Sequence, residues 1–392
     1  MKEAVSLFGV NMPTRVTFGA GCRRELPAAL RQSGWKKVGV VLDQGLKDQP
    51  LVLEWLELLK GSCDRLTLAL CTTPEPTYLG LEAMRVHFAG AEAPEVILGV
   101  GGGSALDMAK AMAVLVHNRE PALHYRGFDR MTEPVLPVIA LPTTAGTGSE
   151  VTPNASFIDS EARRKLGING EAVRPKMAFL DPELTLSCPR GATLSAALDS
   201  LVHATEAVVA KKGNPWAEVL AVAGFSRVFR ALPGVLANPG DIESRAQVMA
   251  GAFFSGVALM HSGTGPAAAM SYPLGVHHGV PHGIGGAIFL PHVMLHNAAA
   301  GFGGYEPLAR GVVDPHRISG GADWGLRLGE TLLECWRQWG VPGNLTELGV
   351  SGTAVERFVK DTLELGGALE QNPTPFGETE IRATLRRLRV EA

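Results

Sequence analysis

Between residues 15 and 180 of the 392-residue chain, short apolar runs alternate with segments of helical composition. Residues 38–42 carry no polar side chain at successive positions, so both faces of that run need cover, as in a strand buried within a parallel sheet. Runs at 15–18, 66–71, 95–100 and 137–141 read as further strands, and 24–32, 51–59 and 79–88 as helices between them. This βαβ rhythm predicts a doubly wound, Rossmann-like α/β amino-terminal domain. Residues 154–158 and 177–180 read as strands around a polar turn, and beyond Pro182 the strand pattern stops. Helices are expected at 194–211, 215–232, 242–259, 326–339, 354–365 and 378–388. The predicted organisation is an α/β dinucleotide-binding domain over 1–185 and an all-α metal and substrate domain over 186–392.

The strand at 95–100 runs into Gly101-Gly102-Gly103-Ser104-Ala105-Leu106-Asp107-Met108-Ala109-Lys110. The glycines let backbone amides approach a ligand closely, and Ser104 with Asp107 has capping-box spacing. A strand, a glycine turn and a helix amino terminus form an anion site suited to a pyrophosphate; a tight turn with no ligand is the other reading. The contiguous glycines and Ser104 differ from the GxGxxG fingerprint. Asp43, at the end of an early strand, can accept from a ribose 2′-hydroxyl and would repel a 2′-phosphate, which favours NAD over NADP; alternatively it is a plain turn aspartate. In the loop at 142–152, Thr143, Thr144, Thr147 and Ser149 interleave with glycine. They suit contacts to phosphate, ribose or carboxamide, or simply a solvated loop. Lys165, between the strands that follow, joins the cofactor-binding candidates.

A second centre lies at 194–203, Leu-Ser-Ala-Ala-Leu-Asp-Ser-Leu-Val-His. With Thr193 as its expected N-cap, this helix projects Asp199 and His203 from one otherwise apolar face, one turn apart. A buried carboxylate beside an imidazole is explained by a divalent metal or by an internal Asp–His hydrogen bond.

Composition excludes several classes. The formal net charge is −3 with Lys and Arg dispersed, so there is no basic face for nucleic acid. Five cysteines without a CxxC pair argue for a reducing cytoplasm and against a cysteine zinc cluster. No unbroken apolar run reaches the roughly 18–20 residues of a membrane span, and the start of the chain has no signal-peptide pattern.

The GGGSxxDxxK stretch at 101–110, the PTTAGTGSEVT loop at 142–152, the Asp199–His203 pair and Pro281-His282-Gly283 occur in one order, between Arg15-Val16-Thr17-Phe18-Gly19 and Asn372-Pro373. Together they resemble the iron-containing (group III) alcohol dehydrogenases. The resemblance implies an architecture shared with dehydroquinate synthase, with NAD(P) on the α/β domain and a divalent metal, iron or zinc, in a cleft between the domains. It implies Asp199, His203 and His282 as metal ligands, and Thr144, Thr147 and Val151 around the nicotinamide. The implied reaction interconverts a small alcohol and its aldehyde or ketone, in a homodimer.

The chain departs from the family where HxxxHxLG is usual: Ala268 and Tyr272 stand at the two histidine positions, and residues 262–266 form an apparent insertion. Three arrangements follow. The site keeps three ligands and an open position; His261, His277 or His278 swings in; or the metal is lost, as in maleylacetate reductases. His261 reads as a polar loop residue. His277 and His278, in an expected loop between Tyr272 and His282, are the candidates for proton transfer alongside Tyr272, whose ordinary pKa near 10 makes it a poorer base. A metal-independent reductase, a dehydroquinate-synthase-like lyase and a nucleotide-binding protein without chemistry are the alternative functions.

Overall fold

The computed structural model describes residues 7–90, 92–351 and 354–388. They divide into an α/β unit, Asn11–Pro189 with Gly240–Met249, and a helical unit, residues 7–10, Arg190–Pro239 and the chain from Ala250 on.

The α/β unit contains β1 (Arg15–Phe18), α1 (Leu26–Ser33), β2 (Lys37–Asp43), α2 (Pro50–Lys60), β3 (Arg65–Cys71), α3 (Tyr78–Arg85), β4 (Val96–Gly101), α4 (Gly103–Leu115), β5 (Gly127–Phe128), β6 (Val138–Pro142), β7 (Asn154–Asp159), β8 (Arg164–Asn169) and β9 (Met177–Leu180). Six strands form a parallel sheet in the order β1-β9-β6-β4-β2-β3. The alternation along β2 explains its unbroken apolarity. Val38, Val40 and Leu42 pack with Leu26, Leu30, Trp55 and Leu59 of α1 and α2, whereas Val41 packs with Leu81, Met84, Met108 and Met112 of α3 and α4. The order reverses beside β2, with β3 on one flank and β4 on the other, so the ends of β2 and β4 bracket a topological switch point.

The second sheet, β5-β8-β7, was not expected in full. β5 has two residues, and β8 opens on Arg164 and Lys165, so neither carries an apolar pattern. β8 pairs antiparallel with β7, Ser156 opposite Gly167.

The helical unit contains α5 (Arg190–Val209), α6 (Pro215–Ala237), α7 (Ile242–Met260, its last eleven residues in this unit), α8 (Pro266–His278), α9 (His282–Ala299), α10 (Glu306–Ala309), α11 (Asp323–Trp339), α12 (Val355–Leu363), α13 (Gly366–Leu369) and α14 (Glu378–Arg387). α5 starts at Arg190, so Thr193 is a buried residue within its first turn and not the expected N-cap. By length and composition alone, α6 is long and apolar enough to cross a membrane, although the sequence contains no unbroken apolar run of that length; it carries Arg227 and Arg230 and packs on α5.

The expected loop between Tyr272 and His282 is a correction of consequence. α8 continues to His278, and only Gly279, Val280 and Pro281 separate it from α9. Pro273 and Pro291 lie inside these helices and Gly283, Gly285 and Gly286 open α9, so residue propensity hides both. Gly279 has φ +65° and ends α8 in the left-handed conformation, with Gly279 N–H donating to Gly275 O and Val280 N–H to Leu274 O. α9 packs against α5, α8, α11 and α14. A β-carbon at Gly283 would overlap the Ser195 carbonyl of α5, and one at Gly286 would come within 3.2 Å of Val202. The glycines thus bring α9 onto the face of α5 that carries Asp199 and His203.

Candidate metal and dinucleotide sites

Asp199, His203 and His282 converge in the helical unit. One ligand atom from each lies within 4.8 Å of the others. Asp199 Oδ1 is 3.4 Å from His203 Nε2 and 3.8 Å from His282 Nε2. Two donors each about 2.1 Å from a tetrahedrally bound ion lie about 3.4 Å apart, so the spacing suits a shared cation. Asp199 is 4% exposed and His203 6%, and among the described residues no Lys or Arg pairs with Asp199. A buried carboxyl group faced by two imidazoles is the donor set of a divalent metal.

The two positions that depart from the HxxxHxLG pattern lie in α8. Ala268 is buried in α8 and its N–H donates to Glu206. Tyr272 sets its ring edge-on to His282, with centroids 5.0 Å apart. The apparent insertion covers most of the link from α7 to α8 and the first residue of α8. Gly265, Ala267 and Ala268 donate their N–H groups to the Glu206 carboxylate, which caps α8 from the neighbouring helix α5. Burial pushes the Glu206 carboxyl up to about 7, although those three donors favour its charged form and Asp199 adds to the upward push.

Two of the other candidate histidines are engaged outside this cluster. His261 stacks edge-on against Trp216, and its Nδ1 is 2.8 Å from Val257 O. His277 Nε2 is 2.6 Å from Asp361 Oδ2 of α12. His278 ends α8, and burial, with the neighbouring His277, holds its imidazole below the ordinary range.

In the α/β unit, the end of β4 and the 142–152 loop form one construction. Gly101 has φ +151°, and a β-carbon there would lie 2.7 Å from those of Asp43 and Ala105. Glycine therefore brings the ends of β2 and β4 together. Gly102 lies under Thr144 and Gly103 under Thr147, where added β-carbons would come within 3.3 and 2.8 Å of those side chains. Thr143 N–H donates to Gly101 O. The N-cap residue of α4 is Gly102, which has no side chain to cap the helix, so the positive end of the helix dipole lies at the glycine turn. Asp43 lies at the end of β2, its Oδ1 accepting from Gly45 N–H.

The expected capping box does not form. Ser104 Oγ donates to Pro74 O, and Asp107 accepts from Ser149 Oγ (2.6 Å) and Ser156 N–H (2.8 Å). Asp107 and Ser149 therefore fasten the 142–152 loop to α4 and face protein groups. Both face Lys110, to which the sequence pattern assigns no role. Lys110 is wholly buried and donates to Ser149 Oγ (2.8 Å) and Asn154 O (2.7 Å). Burial pulls its ammonium down to about 8, while Asp107 and Glu150 favour the charged form. Its place three residues after Asp107 was the available signal. Arg174 also went unnoticed: it donates to Val151 O at the buried end of the loop and pairs with Glu171. Lys165 reaches Glu75 at 2.7 Å, next to Pro74, which accepts from Ser104.

The family model described as "Iron-containing alcohol dehydrogenase" matches residues 13–182, and that described as "Fe-containing alcohol dehydrogenase family, C-terminal" matches residues 193–389. The chain is 31% identical to long-chain-alcohol dehydrogenase 1 of Geobacillus thermodenitrificans, over 97% of this chain and 96% of the relative. It is 29% identical to NAD-dependent methanol dehydrogenase of Bacillus methanolicus, over 90% and 92%. Among solved structures, sulfoacetaldehyde reductase from Bifidobacterium kashiwanohense in complex with NAD+ superposes with a TM-score of 0.87 at 25% identity, covering 98% of this chain and 99% of that one.

Proposed function

The chain belongs to the iron-containing alcohol dehydrogenase family, and from that premise we propose that it uses NAD to interconvert a small alcohol and its aldehyde or ketone at a divalent metal, iron or zinc, held by Asp199, His203 and His282. The convergence of those three side chains from two helices, despite Ala268 and Tyr272 at the usual histidine positions, carries this reading. A metal there supplies a Lewis acid that lowers the pKa of an alcohol or polarises a carbonyl.

The chain's own residues supply the rest. Gly102 and Gly103 with the amino terminus of α4 receive the pyrophosphate, and Asp43 accepts from the adenosine ribose and excludes a 2′-phosphate. Thr144 and Thr147, seated over those glycines, orient the nicotinamide end, while Asp107, Ser149 and Lys110 hold the loop in place. His278, neutral at pH 7 because burial lowers its pKa, is assigned as the base that takes the alcohol proton. His277, fixed on Asp361, positions the end of α8. All five cysteines are free, which suits a reducing cytoplasm. A homodimer is part of the same proposal.

The test is a panel of primary alcohols and their aldehydes, followed by NADH absorbance with and without added zinc or iron. Net NADH formation from an alcohol, abolished by a chelator and restored by metal, is the expected result. Turnover with no net change in NADH would point to lyase chemistry, and turnover that survives chelation to a metal-independent reductase. Replacement of His278 is expected to lower kcat more than Tyr272→Phe; the opposite order would move the base to Tyr272.

A further inference from the structure

One hydroxyl decides which nitrogen of His282 faces Asp199. Ser271 Oγ lies 2.6 Å from Ala268 O and 2.7 Å from His282 Nδ1. A hydroxyl has one proton to donate, and a carbonyl can only accept. The Ser271 proton therefore goes to Ala268 O, and the imidazole supplies the hydrogen of the other bond, so that Nδ1–H donates to Ser271 Oγ. That tautomer leaves the lone pair on Nε2, the nitrogen 3.8 Å from Asp199 Oδ1. The reverse assignment would place an Nε2 proton 3.8 Å from the carboxylate, beyond hydrogen-bond reach, and would take the Ser271 proton away from Ala268.

The contact is built into the packing. Ser271 is fully buried. Gly285, one turn beyond His282 on α9, gives it room, since a β-carbon there would come within 3.0 Å of Ser271 Cβ. The three-residue turn between α8 and α9 fixes the register that brings the two residues together. His203 has no such support: its Nδ1 is buried without a hydrogen-bond partner among the described residues.

We propose that Ser271 is a positioning residue for metal binding, which locks His282 in the Nδ1–H tautomer and presents Nε2 as a neutral donor beside Asp199 and His203. The inference rests on the reading of those three residues as a metal site. Partners of this kind, bonded to the far nitrogen of a metal-binding histidine, fix its ring plane and tautomer.

The experiment has two arms. Zinc affinity is measured by competition with a chromophoric chelator for the native chain, Ser271→Ala and Ser271→Thr, with folding checked by circular dichroism. The tautomer is read from imidazole 15N shifts in the metal-free native chain, assigned against His282→Gln. Ser271→Ala is expected to bind zinc about 10- to 100-fold more weakly. Ser271→Thr, which keeps the hydroxyl, should stay within about threefold of the native chain, and the native spectrum should show a protonated Nδ1. Equal zinc affinity in a folded Ser271→Ala, or an Nε2–H tautomer in the native chain, would overturn the proposal. A native chain that takes up no zinc would defeat the metal reading instead, and the 15N spectrum would still decide the tautomer. If Ser271→Ala does not fold, Ser271→Thr and that spectrum carry the test.

Discussion

Gly283 of α9 lies against the Ser195 carbonyl of α5 so closely that a β-carbon on it would overlap the oxygen, and the same atom would come within 3.0 Å of Asp199 Cβ. Gly283→Ala must push the two helices apart and carry His282 away from Asp199. A loss of about 1–3 kcal/mol is expected from such overpacking, together with weaker zinc binding. Gly191→Ala, where nothing lies within 4 Å, is the control and should change neither. Urea unfolding and zinc titration of both variants check this; native-like zinc binding in Gly283→Ala would show that the close approach is dispensable.

Asp43 tests the choice of nucleotide. Its Oδ1 also caps Gly45 N–H, so Asp43→Asn keeps an acceptor there while removing the carboxylate proposed to exclude a 2′-phosphate. The ratio of kcat/KM for NADP to that for NAD is expected to rise at least about tenfold, equivalent to about 1.4 kcal/mol. An unchanged ratio would take Asp43 out of the ribose site.

Lys110 tests the loop. Replacement by Met leaves Asp107 and Ser149 without their buried cation. Removing one partner of a buried pair typically costs about 3–5 kcal/mol. The variant should unfold at lower denaturant and show a raised KM for NAD, because Thr144 and Thr147 ride on the same loop. Full stability with a native KM would contradict the bracing role.

Glu206 gives a pH signature. Its carboxyl is raised from an ordinary 4.5 to about 7 in the folded chain. Between those values the folded state binds a proton that the unfolded state does not. The contribution is therefore present below pH 4.5, is lost as pH rises to about 7, and amounts to ~3 kcal/mol in all. Glu206→Gln removes the titration. The difference in stability between native and variant should slope downward over that window and be flat above it; parallel curves would refute the assignment.

Much of this was legible in the residues. The parallel strands are unbroken apolar runs because both faces of the sheet are covered, and Val40 and Val41 serve opposite layers. The spacing of Asp199 and His203 gave their shared face directly. What stayed hidden is the pair of helices that complete the site, since α8 and α9 contain Pro273, Pro291 and a glycine cluster that propensity reads as loop. Those glycines are required by contact with α5 and α8, a tertiary demand with no local signal. Ser271 and Glu206 were invisible for the same reason, because their partners lie eleven residues or more away in the chain. Asp107 misled, since capping-box spacing also fits a carboxylate that reaches across to Ser149 and Ser156.

Metal content by elemental analysis, on protein purified without added metal or chelator, bears most directly on the role of Asp199, His203 and His282. Near-stoichiometric iron or zinc in the native chain, absent from Asp199→Ala/His203→Ala, is the expected result. A metal-free native chain whose NADH-linked turnover survives chelation and reconstitution unchanged would contradict it.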